Sequence, residues 1–152
     1  NDIHPPNKID VGERLGRWAL AGEYQRKIPH SGPLFHRAEI EDGVVTVHFT
    51  HAESGLMVAR KQALADPKEE PQASLSHFEL ANDAGQWYAA EAAIHGTTLV
   101  VRSEKVPSPI AVRYAYAVNP QHCNLYNRDG LPAAPFCSKP TLLKFAPQLP
   151  SD

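Results

Sequence analysis

The chain is poor in sulfur and has no excess of positive charge. Among 152 residues there are one methionine and two cysteines, and 15 Lys and Arg stand against 17 Asp and Glu, a net charge of −2. Such a balance cannot form the basic footprint that nucleic-acid binding requires, so no nucleic-acid partner is expected. Cys123 and Cys137 stand at no C-x-x-C or other metal-ligand spacing, which leaves a disulfide and two free thiols both open and gives no reason to expect a bound metal. Long apolar runs are also missing, and none approaches the length that spans a bilayer. The opening residues Asn1-Asp2-Ile3-His4-Pro5-Pro6 contain no Met, no basic segment and no apolar core of a signal peptide, so the segment is expected to start inside a longer protein or after processing. No G-x-S-x-G or Gly-Asp-Ser string occurs, and Ser31, Ser54 and Ser103 sit in turn or loop surroundings without a nucleophile context. No cofactor-binding pattern is present, and none is expected.

What is there begins with a helix. Val11, Leu15, Trp18 and Gly22 recur at spacings of four, three and four, with Pro5 and Pro6 before them, Asn7 as N-cap and Asp10 in the first turn. This predicts a helix from 7 to about 24. Pro29, Gly32 and Pro33 then break the chain, and the periodicity changes from helical to alternating. Segments 34–40 and 44–49 flank Asp42-Gly43 as a hairpin. The polar stretch 66–76 reads as a loop, and 78–81 leads through Asn82-Asp83-Ala84-Gly85 into 86–94, which pairs with 98–102 across His95-Gly96. Segment 111–118 alternates as a strand with two unlike faces, and a turn-rich tail follows. The expected fold is mainly β: a small antiparallel β-sandwich over residues 31–152 with an irregular tail, preceded by a separate helical segment over residues 1–30.

A histidine on a proline-bounded loop just before an amphipathic helix is a place where an α/β hydrolase can hold a general base. Taken locally, His4 could equally be a loop residue that hydrogen-bonds backbone. Two separated strings decide the expectation. Asp2-Ile3-His4-Pro5 followed by Asn7-Lys8 and Val11-Gly12-Glu13-Arg14-Leu15 resembles the last conserved block of the sialate O-acetylesterases, serine esterases of the SGNH type. Val112-Arg113-Tyr114-Ala115-Tyr116-Ala117 with Asn119-Pro120, then Asn124-Leu125-Tyr126-Asn127, Gly130-Leu131-Pro132-Ala133 and Pro135-Phe136, is similar to the closing segment of that family. The resemblance implies that residues 1–30 are the catalytic loop and last helix of an SGNH hydrolase domain whose remainder is not in this chain. It implies a carbohydrate O-acetylesterase with His4 as general acid and base, acting with a serine supplied by the N-terminal part of the enzyme and inactive without it. Implied substrates are acetylated plant cell-wall polysaccharides such as xylan or xyloglucan, or sialic acid, and the implied location is secreted or periplasmic. SGNH enzymes commonly place an Asp three residues before the histidine. That position is Asn1 here, so Asp2 is the candidate acid, with a loop ion pair or an acid further upstream as alternatives.

Other residues carry smaller expectations. His36, His48 and His51 lie close in sequence without the spacing of a known zinc site, and read as surface strand histidines. Trp87, Tyr88, Tyr114 and Tyr116 are either a sugar-stacking platform or core, and Arg113 either reaches a substrate carboxylate or forms a structural ion pair. Cys123 and Cys137 are expected to pair if the protein is exported. A non-catalytic carbohydrate-binding sandwich, or a purely structural C-terminal domain, is the alternative to the esterase.

Overall fold

The computed structural model describes residues 7–143. Helix α1 (Lys8–Gly22) begins as expected: the Asn7 side chain accepts a hydrogen bond from the backbone N–H of Asp10 at 3.1 Å. This satisfies one of the orphan donors of the first turn, while the Asp10 carboxylate meets the positive end of the helix dipole. No helix among the described residues is long and apolar enough to cross a membrane.

Beyond α1 the chain is antiparallel β. Its strands are β1 (Leu34–Glu41), β2 (Val44–Thr50), β3 (Leu56–Arg60), β4 (Lys68–Glu69), β5 (Phe78–Ala81), β6 (Trp87–Ala89), β7 (Glu91–His95), β8 (Thr98–Arg102), β9 (Ala111–Tyr114), β10 (Leu125–Asn127) and β11 (Phe136–Cys137). They form sheets in the orders β1-β2-β8-β7, β11-β9-β5-β6 and β10-β3-β4. The β1–β2 hairpin turns on Asp42 and Gly43, at φ 48° and 77°, as a two-residue turn with both central residues left-handed requires. Val45 and Val47 of β2, Leu99 and Val101 of β8, Phe78 and Leu80 of β5 and Val112 and Tyr114 of β9 join one buried core with Leu56 and Leu125. Phe35 and Phe136, stacked at 4.8 Å, extend that core between the first two sheets.

Three expectations are corrected. The strand expected over 86–94 is two strands, because Ala90 donates its N–H to the Phe78 carbonyl at 2.9 Å and marks a corner. Before it β6 pairs with β5, and after it β7 pairs with β8, so one stretch of chain passes from sheet to sheet. The strand expected over 111–118 stops at Tyr114, since Ala115 takes a left-handed φ of 54° and donates to the His77 carbonyl. The tail contains β10 and β11, paired to β3 and β9. Neither of these, nor β3 itself, was foreseen, because strands this short carry too few alternations to be read.

The linker between α1 and β1 is fastened from the far end of the sequence. Asn127, only 1% exposed, donates through its side-chain nitrogen to the carbonyls of Ser31 and His51, both at 3.0 Å. Its side-chain oxygen accepts from the backbone N–H of Leu131 at 2.9 Å. Beside it, a Cβ on Gly32 would lie 1.9 Å from the Pro132 carbonyl oxygen, so the two backbones touch where only glycine fits. Asn127→Ala would leave two carbonyls and one N–H buried without partners, each costing about 1–3 kcal/mol. We predict a loss of at least about 3 kcal/mol in urea unfolding, and a loss below about 1 kcal/mol would show that solvent replaces these bonds.

Candidate functional site

His4 and Asp2 lie outside the described residues; in sequence, Pro5, Pro6 and Asn7 stand between His4 and the first helical residue Lys8. The described residues nearest to them in sequence belong to α1 and its cap, and α1 meets the β-strands along a seam. Helical spacing places Asp10, Arg14 and Arg17 on one face, and this polar face meets the β-strands. Lys61, just past β3, reaches the Asp10 carboxylate at 3.3 Å and also donates to the Ala65 carbonyl at 2.8 Å. Arg17 is braced by Glu13 within the helix at 2.9 Å and donates across to the Pro29 carbonyl at 3.3 Å. Trp18 packs edge-on against His30, with ring centroids 4.7 Å apart, and His30 lies 5.0 Å from His51. Met57, Ala59 and Tyr126 form a small buried cluster of their own beneath this seam. Burial raises the Tyr126 hydroxyl above its usual range, with Arg14 opposing the shift. A cleft of about 480 Å³ runs along the seam between Asp10, Arg14 and Lys61 on one side and Asp66, Arg128 and Asp129 on the other.

The outer face of α1 is the reverse of what a free-standing surface helix shows. Ile9, Val11, Leu15 and Leu20 are 64%, 45%, 66% and 44% exposed. Gly12, Gly16 and Gly22 have no neighbouring atom within 4 Å of where a Cβ would stand. Burying each of the four large side chains would yield about 1.5–3 kcal/mol, which the described residues leave unrealised. Among the described residues these apolar side chains are left uncovered.

The remaining sequence candidates are dispersed. Tyr114 is buried in the core and Tyr126 under the seam, and Tyr88 lies partly buried against the core. Trp87 and Tyr116 hold the Arg113 guanidinium between them, 4.3 and 4.5 Å from their ring centres. Arg113 also forks onto Glu79 of the neighbouring strand at 2.7 and 3.0 Å. Of the two readings left open for these aromatics, Tyr114 and Tyr88 belong to the core and its margin, while Trp87 and Tyr116 are engaged in this stack. Arg113 has the structural role. His48 bonds to Glu39 at 3.2 Å, and Arg37 together with His48 holds that carboxylate below its ordinary range. His51 instead turns into the seam, and no group of three metal-ligating side chains occurs among the described residues.

Cys123 and Cys137 are free thiols. Cys137 is the register partner of Arg113 and shares its face of the sheet, whereas Cys123 lies at the hydroxyl of Tyr114, on the opposite face. The expected pairing therefore has the β9 strand in its way. Burial raises both thiols above their usual range, which leaves them poor nucleophiles.

No protein-family model matches the chain, and no curated protein does. A solved structure does. The chain is similar to the crystal structure of a carbohydrate acetylesterase from Xanthomonas citri, at 36% identity and a TM-score of 0.78. The similarity covers 90% of this chain and 29% of that one, so the chain spans under a third of the length of the protein it matches. The relation to a carbohydrate esterase is thus one of sequence and fold over nearly the full segment.

The residues that sequence reading missed are Lys61 and Asn127. Lys61 carried no signal. Asn127 lay in plain view inside one of the two strings that carried the resemblance, but its side-chain bonds need the fold to be seen. The cysteine geometry is checked by alkylating the protein without reductant, after denaturation and after production in an oxidising compartment. We predict that both thiols are labelled, and a species resisting alkylation until reduced would overturn the placement.

Proposed function

We propose that this chain is the C-terminal portion of a carbohydrate O-acetylesterase of the SGNH type, secreted or periplasmic, in which His4 is the general acid and base. The observation that carries the reading is the match to the Xanthomonas citri acetylesterase over 90% of the chain, at an identity well above that of chance likeness. Two further features support it: the string Asp2-Ile3-His4-Pro5 immediately before α1, and the outward apolar face of that helix. In this reading residues 1–30 belong to the hydrolase domain and residues 31–152 are its β-rich companion. The surface covering Ile9, Val11, Leu15 and Leu20 is the N-terminal part of the same esterase, which also brings the serine and the oxyanion donors.

The chemistry then runs in two balanced halves. His4 accepts the proton of the serine hydroxyl as its oxygen attacks the acetyl carbonyl, and returns it to the sugar oxygen as the ester bond breaks. A water then gives one proton to His4 and attacks the acetyl-serine, and that proton goes back to the serine as acetic acid leaves and ionises in solvent. Asp2 orients the imidazole through its other nitrogen. Histidine suits the task because its charge changes near neutral pH. The β domain contributes scaffold and not a sugar-binding face, since its aromatics are engaged elsewhere. Substrates are acetyl esters on sugar hydroxyls, in xylan, xyloglucan or sialic acid.

In the joined esterase, His4→Ala is expected to lower the rate of acetate release by roughly four orders of magnitude with folding intact, measured on acetylated xylan, acetylated xyloglucan oligosaccharides and O-acetylated sialic acid. Near-normal turnover by the folded variant would remove His4 from the mechanism. The isolated chain should release no acetate above buffer.

A second measurement tests the covered face. Gly16→Ala should raise the stability of the isolated chain by about 1 kcal/mol, because alanine favours the helix and nothing stands where its Cβ would lie. In the joined esterase the same change should lower the melting temperature, since the methyl meets the hydrolase surface. An equal gain in both would refute the docking.

A further inference from the structure

We propose that the cleft along the seam between α1 and the β domain is a binding site for a neutral sugar chain. The class of ligand rests on the carbohydrate esterase reading given above, and the site rests on its own geometry. At about 480 Å³ the cleft falls within the range of small-molecule sites. Its floor is apolar, made by the buried side chains of Met57 and Leu131, each 7% exposed. Its rim is charged on both walls, and most of that charge is cancelled in place. Arg17 pairs with Glu13 at 2.9 Å, Lys61 with Asp10 at 3.3 Å and Arg128 with Glu69 at 2.7 Å, all within the lining. An anion would meet a carboxylate beside each of these cations, and a cation would meet the reverse. Neither sign of ligand is favoured.

What the rim presents instead is donors and acceptors side by side at fixed positions. The Arg128 guanidinium forks onto Glu69 through both terminal nitrogens, at 2.7 and 3.1 Å, and keeps further N–H donors. Its stem lies along Gly55, where an added Cβ would stand 3.3 Å from the Arg128 Cδ. Asp129 accepts from the Ser54 hydroxyl at 2.7 Å and has acceptor capacity left. Arg14 on the α1 wall and Asp66 on the opposite wall stand outside the three ion pairs. The Asp10–Lys61 pair, 15% and 19% exposed, ties one wall to the other. A pyranose chain matches such a lining. Its ring faces carry C–H groups for the floor, and its hydroxyls each donate and accept, so a vicinal pair can bridge a carboxylate and a guanidinium. Side chains already held by their partners lose little freedom on binding. Among the described residues no aromatic ring lines the cleft, so a Kd on the order of 1 mM is expected. Because α1 supplies one wall, the site belongs to the junction and is not a sugar-binding face of the β domain alone.

The test is a titration of the 152-residue chain followed by backbone amide NMR, with unacetylated xylotetraose as the neutral probe and sialyllactose as the carboxylated one. Saturable shifts are expected on both walls, at residues 13–17 and 128–131, with a Kd of about 1 mM for xylotetraose and binding of sialyllactose at least about fivefold weaker. Arg14→Ala and Asp66→Ala should each weaken xylotetraose about fivefold, the scale of one lost hydrogen bond. Arg60→Gln, whose exposed pair with Glu70 lies outside the cleft, should leave the Kd within about twofold. No saturation by about 20 mM, shifts confined elsewhere, or equal affinity for sialyllactose would overturn the proposal. In the joined esterase the same neutral sugar should slow hydrogen exchange at residues 128–131. If those amides are already protected without sugar and do not respond to it, the N-terminal part fills the cleft and the sugar site is wrong. An inactive His4→Ala beside a chain that binds no sugar leaves the esterase reading standing and strikes the cleft. Binding by the chain beside an active His4→Ala keeps the cleft and removes His4 from the mechanism.

Discussion

The constraint on which the rest of this structure depends is the side chain of Asn127. It sits where three segments far apart in sequence converge, with a carbonyl from the linker, a carbonyl from the β2–β3 loop and an N–H from its own turn all withdrawn from water. Each of these groups must be hydrogen-bonded, and an amide, with donors at one atom and an acceptor at the other, serves all three. No aliphatic residue could do so, and aspartate lacks the donors. Through this one residue the direction in which α1 leaves the β domain is tied to the β10 turn.

From that fixed departure the character of the seam follows. Polar and charged groups of α1 meet the β-strands, while its apolar side chains face away. The helix is thus oriented by directional bonds on one side and offers a non-directional adhesive surface on the other. Hydrogen bonds and ion pairs specify geometry, and apolar burial supplies most of the free energy of association. A helix placed in this way can belong to one body for its position and to another for its stability.

The broad architecture was legible in the sequence because it rests on period and punctuation: the cap at Asn7, the Asp42-Gly43 turn and the alternation along β2, β5 and β8 each act locally. The corner at Ala90 was not, since an alanine in the middle of an apolar alternation gives no sign that the pairing partner changes. The aromatics could not be sorted from the sequence for a related reason. Tyr114, Tyr116 and Trp87 look alike as letters, yet one is core and two clamp an arginine. The second string, from Val112 to Phe136, pointed to a carbohydrate esterase, and its residues turn out to be structural hubs. Arg113 holds Glu79, Asn124 binds Ser76 and Ser74, and Asn127 binds the linker. The candidate His4 lies outside the described residues and rests on the sequence alone, while the supports of the helix that follows it come from residues whose partners lie tens of positions away.

The separation of Asn127 from Ser31, 96 positions along the chain, also governs the order of events in biosynthesis. A chain emerges from the ribosome N-terminus first, and contacts between distant positions form late because closing so long a loop is entropically costly. The helix is made before the turn that ties its heading, which follows about a hundred residues later. Until residues 127–131 are out, α1 has a sticky face and no fixed bearing. A truncation or stall before residues 127–131 would therefore leave the helix without the bonds that fix its bearing.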